Sequence, residues 1–179
     1  MKGFRKILIS LWIVLSLLTI AGMARVTFAA SLNIGNAQAN VGKTGVQVDV
    51  DLDVPRIKKI TSLQLDLQFD DRLNLVDVYA GSVATAADKS VAWNSRSNGV
   101  ARVLLYGLNQ NVIDNGHVFQ LIFDVKADAV SGQSDISAPS LTASNPVGDN
   151  VALSAQSGYV GIGGGAASPP AGDGDSGGG

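Results

Sequence analysis

Three features of this 179-residue sequence predict an all-β fold, a sandwich or jelly roll of about nine strands. From Leu32 onward apolar side chains recur with period two, the spacing of strands that bury one face. All 15 acidic residues are aspartate, which suits turns and strand ends, while glutamate, a good helix former, is absent. Turn-forming Gly, Asn and Pro separate the short apolar runs.

Taken in order, Leu32, Ile34 and Ala37 predict a first strand, and Asn40, Gly42 and Gly45 a turn. Val46 to Val54 alternates without fault, with Val46, Val48, Val50, Leu52 and Val54 on one side and Gln47, Asp49, Asp51 and Asp53 on the other. Pro55 and Lys58-Lys59 end it. The next strand places Leu63, Leu65, Leu67 and Phe69 inward and Ser62, Gln64, Asp66 and Gln68 outward. Asp70-Asp71 turns the chain into Leu73 to Tyr79, and Ala80 to Ala87 reads as a loop with room for one short helical turn. Val91 to Ser95 and Val100 to Gly107 flank Arg96-Ser97-Asn98-Gly99, and Asn-Gly between two apolar runs signals a hairpin. Val118 to Val125, Ser134 to Leu141 and Leu153 to Ile162 complete the set.

The first thirty residues are of another kind. Lys2, Arg5 and Lys6 precede an apolar run from Ile7 to Ile20, and small residues follow around Thr27-Phe28-Ala29, the order of a secretory signal cleaved after Ala29, with Gly22 and Ala24 offering a second choice just upstream. An uncleaved anchor is the competing reading, because Ile7 to Ala24 approaches the ~18 apolar residues of a spanning helix. Both place the domain, residues 31–162, outside the cytoplasm, secreted or at the cell surface. The membrane is a partner only if the segment stays uncleaved. Residues 163–179, rich in Gly, Ala, Ser, Pro and Asp, read as a flexible linker or tail.

Without residues 1–30 the chain keeps nine basic residues against 15 acidic, a net charge of −6. Nucleic acid is excluded as a partner, since phosphate binding needs clustered Lys and Arg. No cysteine is present, so the fold rests on its core without disulfides, and thiolate metal sites are ruled out.

Catalytic constellations are also missing. His117 is the single histidine and sits at a strand end, and no serine has a nucleophile-elbow setting. Asp49, Asp51 and Asp53 lie on the polar face of a strand and Asp70-Asp71 at a turn, positions that suit structure better than glycoside hydrolysis. Neither that aspartate row nor Asp173-Gly174-Asp175 makes a complete calcium loop. We therefore expect no enzyme, no resident metal and no cofactor. Sugar-stacking aromatics are few: Phe69, Phe119 and Phe123 are core candidates, leaving Trp93 with Tyr79, Tyr106 and Tyr159 as an alternative polysaccharide-binding set centred on Trp93.

The run from Ile60 to Gly81, ITSLQLDLQFDDRLNLVDVYAG, resembles the third and fourth strands of cohesin domains. Val100 to Val125, with Asn115-Gly116 before an alternating strand, is similar to the family's sixth and seventh strands, and Gly158-Tyr159-Val160-Gly161-Ile162 to its closing strand. The resemblance implies a nine-stranded β-sandwich with jelly-roll topology that binds a dockerin-type protein module, with calcium belonging to that partner. Carried over by register, the implied partner-binding residues are Ser62, Gln64 and Asp66 on one strand and Arg102, Leu104, Tyr106 and Leu108 on another. The parity of Ala101, Val103 and Leu105 independently turns Leu104, Tyr106 and Leu108 outward. Ser62 and Gln64 depart from the Asn and Asp common in the family at those positions. A structural surface domain without a specific ligand is the third reading.

Overall fold

A computed structural model describes residues 30–55 and 57–163, so the expected signal and tail segments, apart from Ala30 and Gly163, lie outside the described residues. Eleven strands and one short helix follow one another. They are β1 (Ala30–Ile34), β2 (Asn36–Asn40), β3 (Val46–Asp53), β4 (Ser62–Phe69), β5 (Leu73–Ala80), α1 (Ser82–Ala86), β6 (Ser90–Ser97), β7 (Val100–Tyr106), β8 (Gly116–Val125), β9 (Gly132–Ser144), β10 (Leu153–Gln156) and β11 (Gly158–Gly163). They form a five-stranded sheet, β10-β1-β3-β8-β5, packed on a six-stranded sheet, β2-β11-β9-β4-β7-β6.

The expected alternation is what builds the core. Val46, Val48, Val50 and Leu52 of β3 are buried while Gln47, Asp49, Asp51 and Asp53 face solvent, and Leu63, Leu65 and Leu67 of β4 close on them from the other sheet. Phe119, Leu121 and Phe123 of β8 fill the centre, and Phe69 meets Phe123 edge to face at 5.3 Å. Two neighbouring strands antiparallel across Asn98-Gly99 form the expected hairpin, with Gly99 at φ +72°. The anticipated helical turn is α1.

Two of the expected nine strands are each divided, which accounts for eleven. The segment Leu32 to Ala37 breaks at Gly35, with β1 in one sheet and β2 in the other, and Leu153 to Ile162 breaks at Ser157 into β10 and β11. Both crossings occur at one corner, where Gly158 lies so close to Gly35 that a Cβ there would strike the backbone carbonyls of Gly35 and Ile34. Period two holds on each side of a crossing but its phase flips there, from Leu32 and Ile34 to Ala37 and Ala39 and from Leu153 and Ala155 to Val160 and Ile162, because the strand turns its other face to the core as it changes sheet.

Candidate docking face

In the six-stranded sheet β4 and β7 are neighbours, and their register sets Gln64 opposite Leu104 and Asp66 opposite Arg102. The two rows of candidate residues therefore share one outer face. Ala101, Val103 and Leu105 are buried, whereas Leu104 and Tyr106 are 37% and 45% exposed, as the parity argument required. An exposed Leu and Tyr side by side on an otherwise polar sheet face are what a contact surface requires, which makes this face the candidate site.

Charge on the face is neutralised from within. The Arg102 guanidinium donates from Nε and from its terminal nitrogen to the two carboxylate oxygens of Asp66, both at 2.6 Å. That forked geometry fits a planar guanidinium to a carboxylate and fixes both side chains. The Arg102 bond holds the Asp66 carboxyl below the usual carboxylate range, and Asp66 in turn raises Arg102. Ser62 exchanges a hydrogen bond with Ser144 of β9.

The face also includes residues that strand-by-strand reading passed over. Ala92 stands opposite Leu104, Asn94 opposite Arg102 and Ser90 opposite Tyr106 on β6, while Thr142 of β9 stands opposite Gln64. The outward parity of the β6 residues was readable from the hairpin, but their membership of the face, and that of Thr142, depends on the strand order β9-β4-β7-β6, which periodicity does not encode.

Leu108 differs from expectation. β7 ends at Tyr106, and Leu108 lies fully exposed in the loop that follows instead of continuing the strand row. That loop is tied down from below: Lys89 is buried and its Nζ donates to the Asn109 backbone carbonyl at 3.1 Å and to Asn109 Oδ1 at 2.6 Å. Asn109 Nδ2 donates to the Asp88 carbonyl at 2.9 Å. Desolvation pulls the Lys89 ammonium below the ordinary lysine range.

Trp93 does not stand on an open sheet face. It occupies the core-facing parity of β6 opposite buried Val103, packs against the core, and donates from Nε1 to Asp77 Oδ1 at 3.2 Å, linking the edges of the two sheets. Asp49, Asp51 and His117 belong to the outer face of the other sheet, where His117 Nδ1 is 3.9 Å from a carboxylate oxygen of each aspartate. Among the described residues no three His, Cys, Asp or Glu side chains converge as metal ligands do.

The geometry thus defines a class, a two-sheet β-sandwich whose candidate functional surface is a flat sheet face instead of a cleft. The chain belongs to the cohesin family: the model of the cohesin domain matches residues 30–161. No curated protein matches it. Among solved structures it is similar to the sixth cohesin of scaffoldin B from Acetivibrio cellulolyticus, determined with a dockerin, at 22% identity and a TM-score of 0.66 over 75% of this chain and 99% of that one. A chain of a type I cohesin–dockerin complex from Clostridium thermocellum gives 21% identity and a TM-score of 0.66 over 75% and 99%. A non-cellulosomal cohesin from the archaeon Archaeoglobus fulgidus gives 20% and 0.63 over 75% and 91%.

Proposed function

We propose that this domain is an exported, non-catalytic docking module that binds a dockerin-type protein through the outer face of β9-β4-β7-β6, in the assembly of polysaccharide-degrading or cell-surface complexes. The observation that carries the reading is the pairing of an exposed Leu104–Tyr106 row with the internally neutralised Asp66–Arg102 pair on adjacent strands. Such a surface offers apolar area for burial and a central charge pair that is already matched, with Arg96 of β6 the further cation near Asp66. Family membership supports the partner class, and the similar cohesins from Acetivibrio cellulolyticus and Clostridium thermocellum were determined in complexes with dockerins. The basic and apolar N-terminal sequence supports export. Calcium, in this reading, resides on the partner.

Calorimetric titration of the purified chain with a calcium-loaded dockerin from the same organism, repeated with chelator, tests it. Saturable binding that chelator abolishes is expected, and Leu104→Asp with Tyr106→Asp should remove it while the melting transition stays cooperative. Binding unchanged by that double substitution would assign the partner to another surface.

A further inference from the structure

The other half of the six-stranded sheet has a different chemistry. On β11, Val160 and Ile162 are buried, so Tyr159, Gly161 and Gly163 face outward. On β2, the edge strand beside it, Ala37 and Ala39 pack against the core and Asn36, Gln38 and Asn40 face outward. On β9, its other neighbour, Ser134 and Ile136 are buried and Gln133 and Asp135 face outward. The register pairs Asn36, Gln38 and Asn40 with Tyr159, Gly161 and Gly163 in turn, and pairs Asp135 with Tyr159 and Gln133 with Gly161.

Glycine at two successive outward positions leaves β11 with no side chain of its own there. The strip between the β2 and β9 rows, about 10 Å apart given the usual strand spacing, is crossed at Gly161 by the Gln38 side chain leaning in from β2. There the Gln38 amide presents a donor and an acceptor. The trough runs for about 13 Å, four strand rises, from Tyr159 to Gly163. There it opens into a shallow cavity of about 420 Å³ lined by Gln38, Ala39, Asn40, Lys43 and Gly163. Beside Tyr159 it adjoins a second depression lined by Gln68, Asp70, Asp135 and Ser137.

From this arrangement we propose that the trough along β11 is a binding site for a neutral polysaccharide chain, separate from the docking face. The charge pattern selects the ligand. Along the trough Asp135 has a carboxylate that already accepts from Gln133 Nε2 at 2.6 Å, the paired Asp70 and Arg72 stand at one end, with Arg72 donating to the Gln133 carbonyl, and Lys43 stands at the other. Among the described residues these charges are mixed in sign and form no cationic cluster for a polyanion. Side-chain amides carry donor and acceptor together, the pattern that pairs with neighbouring hydroxyls, and a partly exposed tyrosine ring offers an apolar plate to the C–H face of a sugar. Asn36 is oriented for the task, because its Oδ1 accepts from the Tyr159 backbone N–H at 3.0 Å and its amide nitrogen is left for a ligand.

Affinity electrophoresis of the purified chain through gels containing hydroxyethylcellulose, galactomannan or polygalacturonate tests the proposal. Retardation by at least one of the two neutral polymers and not by polygalacturonate is expected. Tyr159→Ala and the double variant Gln38→Ala, Gln133→Ala should each weaken it tenfold or more, while Tyr159→Phe keeps it within a fewfold. Leu104→Asp with Tyr106→Asp, which disables the docking face, should leave it unchanged. No retardation by either neutral polymer, retardation by polygalacturonate alone, or retardation indifferent to the trough variants each overturns the proposal. The double amide variant alters only exposed side chains, so it keeps the test decisive if Tyr159→Ala does not fold.

Discussion

Arg102 and Asp66 face each other across β7 and β4 through two parallel hydrogen bonds of 2.6 Å, in the middle of the proposed docking face. A pair this well matched presents the partner with a nearly neutral, rigid plate. Either single substitution, Asp66→Ala or Arg102→Ala, leaves the other charge unpaired where a partner must desolvate it. We expect each to reduce dockerin affinity tenfold or more, and the double variant to lose less than the two singles combined. Calorimetry on the four proteins of the cycle measures this, and additive losses would show that the pair does not act as a unit. Because Arg102 holds the Asp66 carboxyl below its usual range, the pair's contribution is complete above the ordinary carboxylate pKa and is lost only as pH falls through the lowered value. Binding should accordingly survive mild acid.

Gly158 and Gly35 carry the crossing of two strands between sheets. The sequence showed the strands themselves because burying one face forces alternation, and it showed Leu104 and Tyr106 outward for the same reason. It could not show that Gly35 and Gly158 meet, since this is a contact between chain segments far apart and neither glycine has a local turn signature. For the same reason Ala92 and Thr142 were invisible as members of the docking face, and the trough along β11 emerged only when β2 and β9 were placed beside it. Gly158→Ala puts a methyl group against the Gly35 and Ile34 carbonyls, and backbone cannot rotate aside as a side chain can. A loss of about 1–3 kcal/mol is expected, as for other overpacking changes, read from chemical denaturation. A change within a few tenths would mean that the corner relaxes freely.

Asp70 and Arg72 form a clamp that spans two loops. Arg72 donates to Asp70 Oδ1 from Nε at 2.9 Å and to Oδ2 from a terminal nitrogen at 2.7 Å, and it also reaches the Val130 carbonyl at 3.3 Å, fastening the β4–β5 turn to the β8–β9 connection. The Arg72 bond holds the Asp70 carboxyl far below the carboxylate range. A depressed folded pKa means stability that is present above the unfolded value near 4 and drains away as pH falls below it. Asp70→Asn should therefore cost about 1 kcal/mol at neutral pH and flatten the acid limb of the stability curve. Melting temperatures of the two proteins from pH 7 to pH 2 should converge as the pH drops. Parallel curves would contradict the assignment.

Lys89 is the anchor that joins the helix side of the domain to the loop carrying Leu108. Its Nζ holds both the backbone carbonyl and the side-chain oxygen of Asn109, and that same Oδ1 accepts from the Asn111 backbone N–H at 3.0 Å. Burial lowers the lysine pKa, so the folded state binds fewer protons than the unfolded chain between the lowered value and the ordinary one near 10.4. Stability should rise with pH across that window, the opposite of a salt-bridged lysine. Lys89→Met keeps an unbranched apolar stem of similar reach, removes the alkaline rise, and takes away the loop's donor. The Asn109 and Asn111 amides should then exchange with solvent at least tenfold faster while the β4 and β8 amides stay protected. If Leu108 contributes to docking from a fixed loop, Lys89→Met should also weaken dockerin binding severalfold, and Leu108→Ser added to it should weaken binding little further. Full additivity of the two would mean that Leu108 binds from a loop whose order does not depend on Lys89, and the strand face of Leu104 and Tyr106 would then act independently of that anchor.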